Sequence, residues 1–80
     1  MGNMAGARVF VALENVRSAY NVGSIFRTAE SAGATGLFLI GATPVPIDRF
    51  GRPQRAIAKT ALDAEQMVPW TQYGSVAEFL

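Results

Sequence analysis

The chain has 80 residues, 50% of them hydrophobic and 16% charged, with a formal net charge of +1 and neither cysteine nor histidine. That length holds one small domain, which buries only about 60% of the surface its unfolded chain exposes, and the composition excludes a disordered or fibrous chain. Without thiols or imidazoles there is no disulfide framework, no Cys/His metal site and no Ser-His or Cys-His nucleophile, so any chemistry rests on Arg, Lys, Asp, Glu, Asn, Ser, Thr or Tyr.

Residues 1–7 are small, polar and without periodicity, and read as a loose N-terminus; Gly6 stands where a myristoylation signal needs Ser or Thr. Arg8 to Leu13 (R-V-F-V-A-L) is an unbroken apolar run, the pattern of a strand covered on both faces in a parallel sheet. The polar stretch from Glu14 to Ser24 then reads as a loop leading into a helix. Val22, Ile25, Phe26, Ala29 and Ala32 recur at spacings of three and four and predict one helical stripe, with Ser24, Arg27, Thr28 and Ser31 off it and Gly33 as the C-terminal cap.

Leu37 to Ile40, bounded by Gly36 and Gly41, predicts a second buried strand. Strand, helix and strand in about thirty residues make a βαβ unit. Its first loop falls at the carboxyl edge of the sheet, where ligands of open α/β sheets bind. Ala42 to Gln54, with Pro44, Pro46, Gly51 and Pro53, reads as a long ordered loop.

A short helix follows around Thr60 to Gln66, ended by Pro69-Trp70, with Trp70 and Tyr73 as packing residues. Ser75 and Glu78 form a Ser-x-x-Glu capping box two residues before the end, so the natural protein is expected to continue beyond Leu80. The apolar surplus for so small a chain suggests a hydrophobic face awaiting a partner or further sequence. No apolar run reaches the roughly 20 residues of a membrane span and no signal peptide is present, so a cytoplasmic protein is expected.

Two features carry chemistry. Four of the seven basic residues, Arg49, Arg52, Arg55 and Lys59, fall in one stretch whose acid is Asp48, and read either as a solvated loop or as a phosphate-contacting patch. Between Asn15 and Arg27 the spacing is N-x-x-x-x-x-N-x-G-x-x-x-R. It places Asn15, Asn21 and Gly23 on the loop above the sheet and the Arg27 guanidinium in the first turns of the helix. Helix amides and a planar, permanently charged fork both suit a phosphate. Arg27 could otherwise be a surface residue paired with Glu30 or Glu14, and the asparagines could satisfy loop backbone or cap the helix. Arg17 and Tyr20, in the same loop, could be solvated or face RNA.

The segment E-N-V-R-S-A-Y-N-V-G-S-I-F-R-T-A-E-S-A-G-A-T-G-L-F-L-I-G resembles motif 1 of the SpoU-type (TrmH-like) RNA 2'-O-ribose methyltransferases of the knotted SPOUT superfamily. K-T-A-L-D-A-E-Q-M-V-P-W, Lys59 to Trp70, resembles the segment that follows, although the family often has Gly where Asp63 stands. The resemblance implies an α/β fold in which residues 8–80 form the Rossmann-like βαβ half of an α/β-knot domain. It further implies S-adenosylmethionine as cofactor, a tRNA or rRNA ribose as substrate, a homodimer, and no metal. Arg27 matches the family's catalytic arginine and Asn15 the asparagine that supports it; Asn21 and Gly23 match the remaining motif positions, and Arg17, Arg49, Arg52, Arg55 and Lys59 are the basic residues expected to meet RNA.

The Gly-Glu-Gly-like and Ser-Leu-Asn-containing motifs that form the knot and hold the cofactor are absent from these residues, so no cofactor ligand is expected here. A non-catalytic RNA-binding or assembly module on the same scaffold is the alternative. A Rossmann nucleotide domain is disfavoured because G-x-G-x-x-G does not follow the first strand.

Overall fold

The structure, a computed structural model, describes residues 8–80; the loose N-terminus expected for residues 1–7 lies outside them. Three strands, β1 (Phe10–Glu14), β2 (Gly36–Ile40) and β3 (Trp70–Tyr73), form a parallel sheet in the order β1-β2-β3. Helix α1 (Ala19–Ala32) joins β1 to β2; α2 (Arg55–Ala61) and α3 (Ala64–Met67) lie between β2 and β3, and a single turn, α4 (Val76–Phe79), follows. The βαβ unit stands as predicted, with Val11 opposite Leu37 and Leu13 opposite Leu39.

Sequential strand order with both crossovers of one hand puts α1, α2 and α3 on the same face. There Leu13, Leu37 and Leu39 meet Val22, Phe26 and Ala29 of α1, Ile57 and Ala61 of α2, and Ala64 and Val68. The expectation that β1 is covered on both faces is therefore corrected. Its residues alternate, Leu13 buried and Phe10, Ala12 and Glu14 exposed, because among the described residues α1, α2 and α3 all lie on one face and the single turn α4 alone reaches the other. Phe10, Phe38, Tyr73 and Phe79 occupy that face, with Phe10 and Phe38 stacked at 5.2 Å and Phe38 and Phe79 at 4.9 Å between centroids. Phe10 remains 47% exposed, so the apolar surplus of the sequence has an address.

Three boundaries differ from the sequence reading. Helix α1 begins at Ala19, because Ser18 caps it by accepting the Asn21 N–H on Oγ at 3.2 Å. It ends as predicted at Gly33, whose φ of 75° lets its N–H and that of Ala34 turn back onto α1 carbonyls. The single helix expected around Thr60 to Gln66 starts earlier, at Arg55, and is broken into two where Leu62 and Asp63 both take left-handed backbone, φ 52° and 73°. Behind Pro69, which ends the helical stretch, Trp70 opens a third strand that the sequence reading did not include, since Trp70 pairs with Leu37 and Tyr73 with Ile40. The Ser75 half of the capping box forms, with Ser75 Oγ accepting the Glu78 N–H at 3.3 Å, while Glu78 Oε1 accepts the N–H of Gly74, one residue before the cap, at 2.9 Å.

Candidate RNA-facing site

Asn15 leaves β1 with φ 55°, a left-handed conformation that Asn tolerates better than most residues. Its N–H donates to the Ile40 carbonyl at 3.0 Å and its Oδ1 accepts the Ala42 N–H at 2.8 Å. The side chain thus clasps the carboxyl ends of β1 and β2. Gly41, at φ 67°, is required opposite it, because a Cβ there would collide with the Asn15 amide.

A second clasp escaped the sequence reading. Thr43 is the buried polar residue of the core, 3% exposed. Its hydroxyl accepts the Val16 N–H at 3.1 Å and faces the Leu13 and Ile40 carbonyls, each at 2.9 Å. It ties the loop leaving β1 to the loop leaving β2. The available signal was a hydroxyl directly behind the G-A that closes an apolar run, a pattern that returns side-chain bonds to nearby backbone.

Asn21 and Gly23 are not loop residues, contrary to expectation. Both lie inside α1, because the Ser18 cap starts the helix before them. Asn21 is exposed and contributes its backbone N–H to the cap, so Ser18 and not Asn21 is the capping residue. Gly23 is buried, which removes it from the residues expected to touch RNA. A Cβ on it would run into Thr60 Oγ1 and stand 2.6 Å from the Ile57 carbonyl oxygen, so its missing side chain is the space in which α2 crosses α1. Thr60, held there, donates its hydroxyl toward the Tyr20 carbonyl at 3.0 Å or the Ala56 carbonyl at 3.1 Å.

Arg27 sits eight residues into α1, roughly 12 Å along the axis from its start. It is therefore in mid-helix and not in the first turns beside the amides. It is exposed, and among the described residues it pairs with neither Glu14 nor Glu30. Arg27 lines an open groove of about 390 Å³ together with Ser24, Thr28 and Ser31 of α1 and Thr60 of α2, four hydroxyl-bearing residues. Asn15 and Asn21 do not line this groove, so the structure separates the rim clasp from the arginine.

The basic stretch divides in two. Asp48 organises the β2–α2 loop: Oδ1 accepts the N–H groups of Phe50 at 2.8 Å and Arg52 at 2.9 Å, and Oδ2 pairs with Arg52 Nε at 2.9 Å. Those bonds, that of the Arg52 N–H foremost, hold the Asp48 carboxyl below its ordinary range against an opposing desolvation effect. The Arg49 and Arg52 guanidiniums both lie over the Phe50 ring, 5.0 Å from its centre. Arg55 and Lys59 stand one turn apart and exposed on α2. Arg17, exposed in the turn before Ser18, joins neither group.

A second concavity, of about 350 Å³, runs between β1 and α1 and is lined by Val9, Val11, Ile25, Ala29, Ala32, Ala34 and Thr28. Among the described residues no helix is long and apolar enough to cross a membrane, and no cluster of acidic side chains has the makings of a metal site.

The family model of the SpoU rRNA methylases matches residues 8–80. The chain is similar to an AdoMet-bound rRNA methyltransferase from Sinorhizobium meliloti, with 31% identity, a TM-score of 0.69 and coverage of 84% of this chain. It is likewise similar to an rRNA methyltransferase structure from the same organism, with 32% identity, a TM-score of 0.66 and coverage of 81%. The match spans 23% of each of those chains. No curated protein matches.

Proposed function

The chain belongs to the SpoU rRNA methylase family, and from that premise we propose that it supplies the RNA-side half of an S-adenosylmethionine-dependent ribose 2'-O-methyltransferase acting on tRNA or rRNA. The observation that carries the proposal is the exposed Arg27, in no ion pair among the described residues, lining a groove with four hydroxyl-bearing residues. A ribose-phosphate presents anionic oxygens and hydroxyls, and this lining can pair both.

A ribose hydroxyl is a weak nucleophile, so transfer needs it positioned and its developing negative charge stabilised. Arg27 is suited to the second task and to gripping the neighbouring phosphate. It is unsuited to taking the proton, because a guanidinium is a donor with no acceptor lone pair to offer. Asn15 and Thr43 act one step back, fixing the strand exits that carry the α1 entry and the basic loop. In the complete enzyme S-adenosylmethionine supplies the methyl group. The concavities described here do not suit it: Arg27 repels a sulfonium cation, and the apolar groove offers only the Thr28 hydroxyl to an adenosine. No step is therefore assigned to residues of this chain acting on the cofactor. The same reading places the enzyme in the cytoplasm as a homodimer without metal.

The test is transfer of a labelled methyl group from S-adenosylmethionine to RNA by the full-length protein. The expected product is a nucleotide whose 3' linkage resists alkali, since a methylated 2'-oxygen cannot attack its phosphate. Label on a base overturns the ribose assignment. Arg27→Ala is expected to lower kcat by at least about 100-fold, the scale of one lost oxyanion-stabilising group, with an unchanged melting curve; near-normal turnover removes Arg27 from the site.

The exposed basic residues Arg49, Arg52, Arg55 and Lys59 on the same scaffold favour one second reading, a non-catalytic RNA-binding module. Its mark is salt-sensitive RNA binding with no methyl transfer by the full-length protein.

A further inference from the structure

We infer that the β2–α2 loop is a stacking platform for an unpaired RNA base, with Phe50 as its contact ring and Arg49 as its phosphate-binding flank. The inference rests on the RNA-side reading above and adds to it a particular surface and a particular form of RNA.

Three observations carry it. Phe50 is 67% exposed although two guanidiniums lie over its ring, so the arginine stems do not bury it as a loop's private core. The tip is fixed before any ligand arrives: Asp48 accepts two backbone N–H groups and Arg52 Nε, Ile47 bridges to Pro53, and the Gln54 N–H donates to the Pro46 carbonyl at 2.8 Å. A loop already ordered loses little entropy on binding. The charge is also suited to RNA. Asp48 is matched by Arg52, leaving Arg49 at the tip in no ion pair among the described residues, with Arg55 and Lys59 following along α2.

An aromatic ring beside flat guanidiniums, in a field of uncompensated positive charge, is the combination that holds single-stranded nucleic acid. A base extends the planar stack and its own phosphate reaches Arg49. In duplex RNA the bases are already stacked on one another and offer no face to the ring, so the platform selects an unpaired nucleotide.

The test measures binding of a fluorescent single-stranded RNA, and of a hairpin stem of the same composition, to the 80-residue chain at low salt. Phe50→Ala is expected to weaken single-strand binding about 10-fold and leave stem binding unaltered. Phe50→Leu, which keeps an apolar group without a ring, is expected to behave like Phe50→Ala, and Phe50→Tyr like the parent. Circular dichroism melts check that the fold is kept. Unchanged single-strand affinity in Phe50→Ala overturns the platform and leaves the RNA reading standing. Full affinity in Phe50→Leu overturns stacking. Absence of RNA binding by the parent chain overturns the platform, while methyl transfer by the full-length protein decides the wider reading separately. A Phe50→Ala chain that binds RNA normally but changes its oligomeric state in sedimentation assigns the ring to self-association instead.

Discussion

Replacing Gly23 by Ala tests the α1/α2 crossing on which the Arg27 groove depends. In an open helix the change would be favourable by about 1 kcal/mol, because Ala has the higher helix propensity. Here the added methyl meets the Ile57 carbonyl oxygen at 2.6 Å, about 0.8 Å inside the 3.4 Å at which ordinary contact begins, and overlaps Thr60 Oγ1 as well. The hydroxyl can rotate away, but the carbonyl belongs to α2 backbone and moves only with the helix. Overpacking of this kind costs about 3 kcal/mol at the upper end of its usual range. The net loss is then about 2 kcal/mol, which lowers the melting temperature of a domain this small by roughly 8–16 °C. Urea and thermal unfolding of Gly23→Ala beside Gly23→Ala/Thr60→Ala measure it. The double variant removes the hydroxyl contact and leaves the carbonyl contact, so it should recover only part of the loss. A single variant as stable as the parent refutes the close crossing.

Thr43→Val keeps shape but strips the Val16 N–H and the Leu13 and Ile40 carbonyls of their hydroxyl, and is expected to cost about 2 kcal/mol in urea unfolding, against less than about 1 kcal/mol for Thr43→Ser. Asp63→Gly relieves a left-handed residue whose side chain makes no capping bond, and after allowing for the freer unfolded chain should stabilise by about 0.5–1 kcal/mol in the same assay. The Asp48 carboxyl has a lowered folded-state pKa, so its contribution is complete above the ordinary carboxylate value of 3.8 and is lost only as pH falls through the lower folded value. Protection of the Phe50 and Arg52 amides from exchange should therefore persist at pH 4 and fail under stronger acid, whereas Asp48→Ala should lack it at neutral pH.

Elements that declare themselves by local chemistry were readable in the sequence. The stripe of α1 follows a 3.6-residue period, Gly33 alone could close it cheaply, and the apolar run of β2 admits no other reading between its glycines. What was lost depended on competition between signals. Ser18 and Asn21 are both good N-caps, and only the fold decides that Ser18 faces the free amides. The break at Leu62–Asp63 puts a leucine and an aspartate in left-handed backbone, a conformation that packing imposes against local preference. Strand β3 is four residues long, behind a proline, and its evidence is the β2 edge waiting for it rather than its own pattern. The site was legible to a similar extent. Asn15 and Arg27 stood out in the sequence as polar groups needing an explanation, but their separation into a rim clasp and a mid-helix groove required the true start of α1.

That true start also explains the motif's spacing. Gly23 and Arg27 are four residues apart, hence stacked on one face of α1. Thr60 occupies the space above Gly23 and then forms one wall of the Arg27 groove. A glycine at this distance from the arginine therefore has a function without touching any ligand: it admits α2 and with it the fourth hydroxyl. A side chain at position 23 would push α2 outward and open the groove on that side, changing the surroundings of a guanidinium it never meets. For this reason Gly23→Ala should weaken RNA contact through Arg27 even at temperatures where the variant is fully folded, and Gly23→Ala combined with Arg27→Ala should lose little more RNA affinity than Arg27→Ala alone. Additive losses in that pair would place the two residues in independent roles and remove the explanation of the spacing.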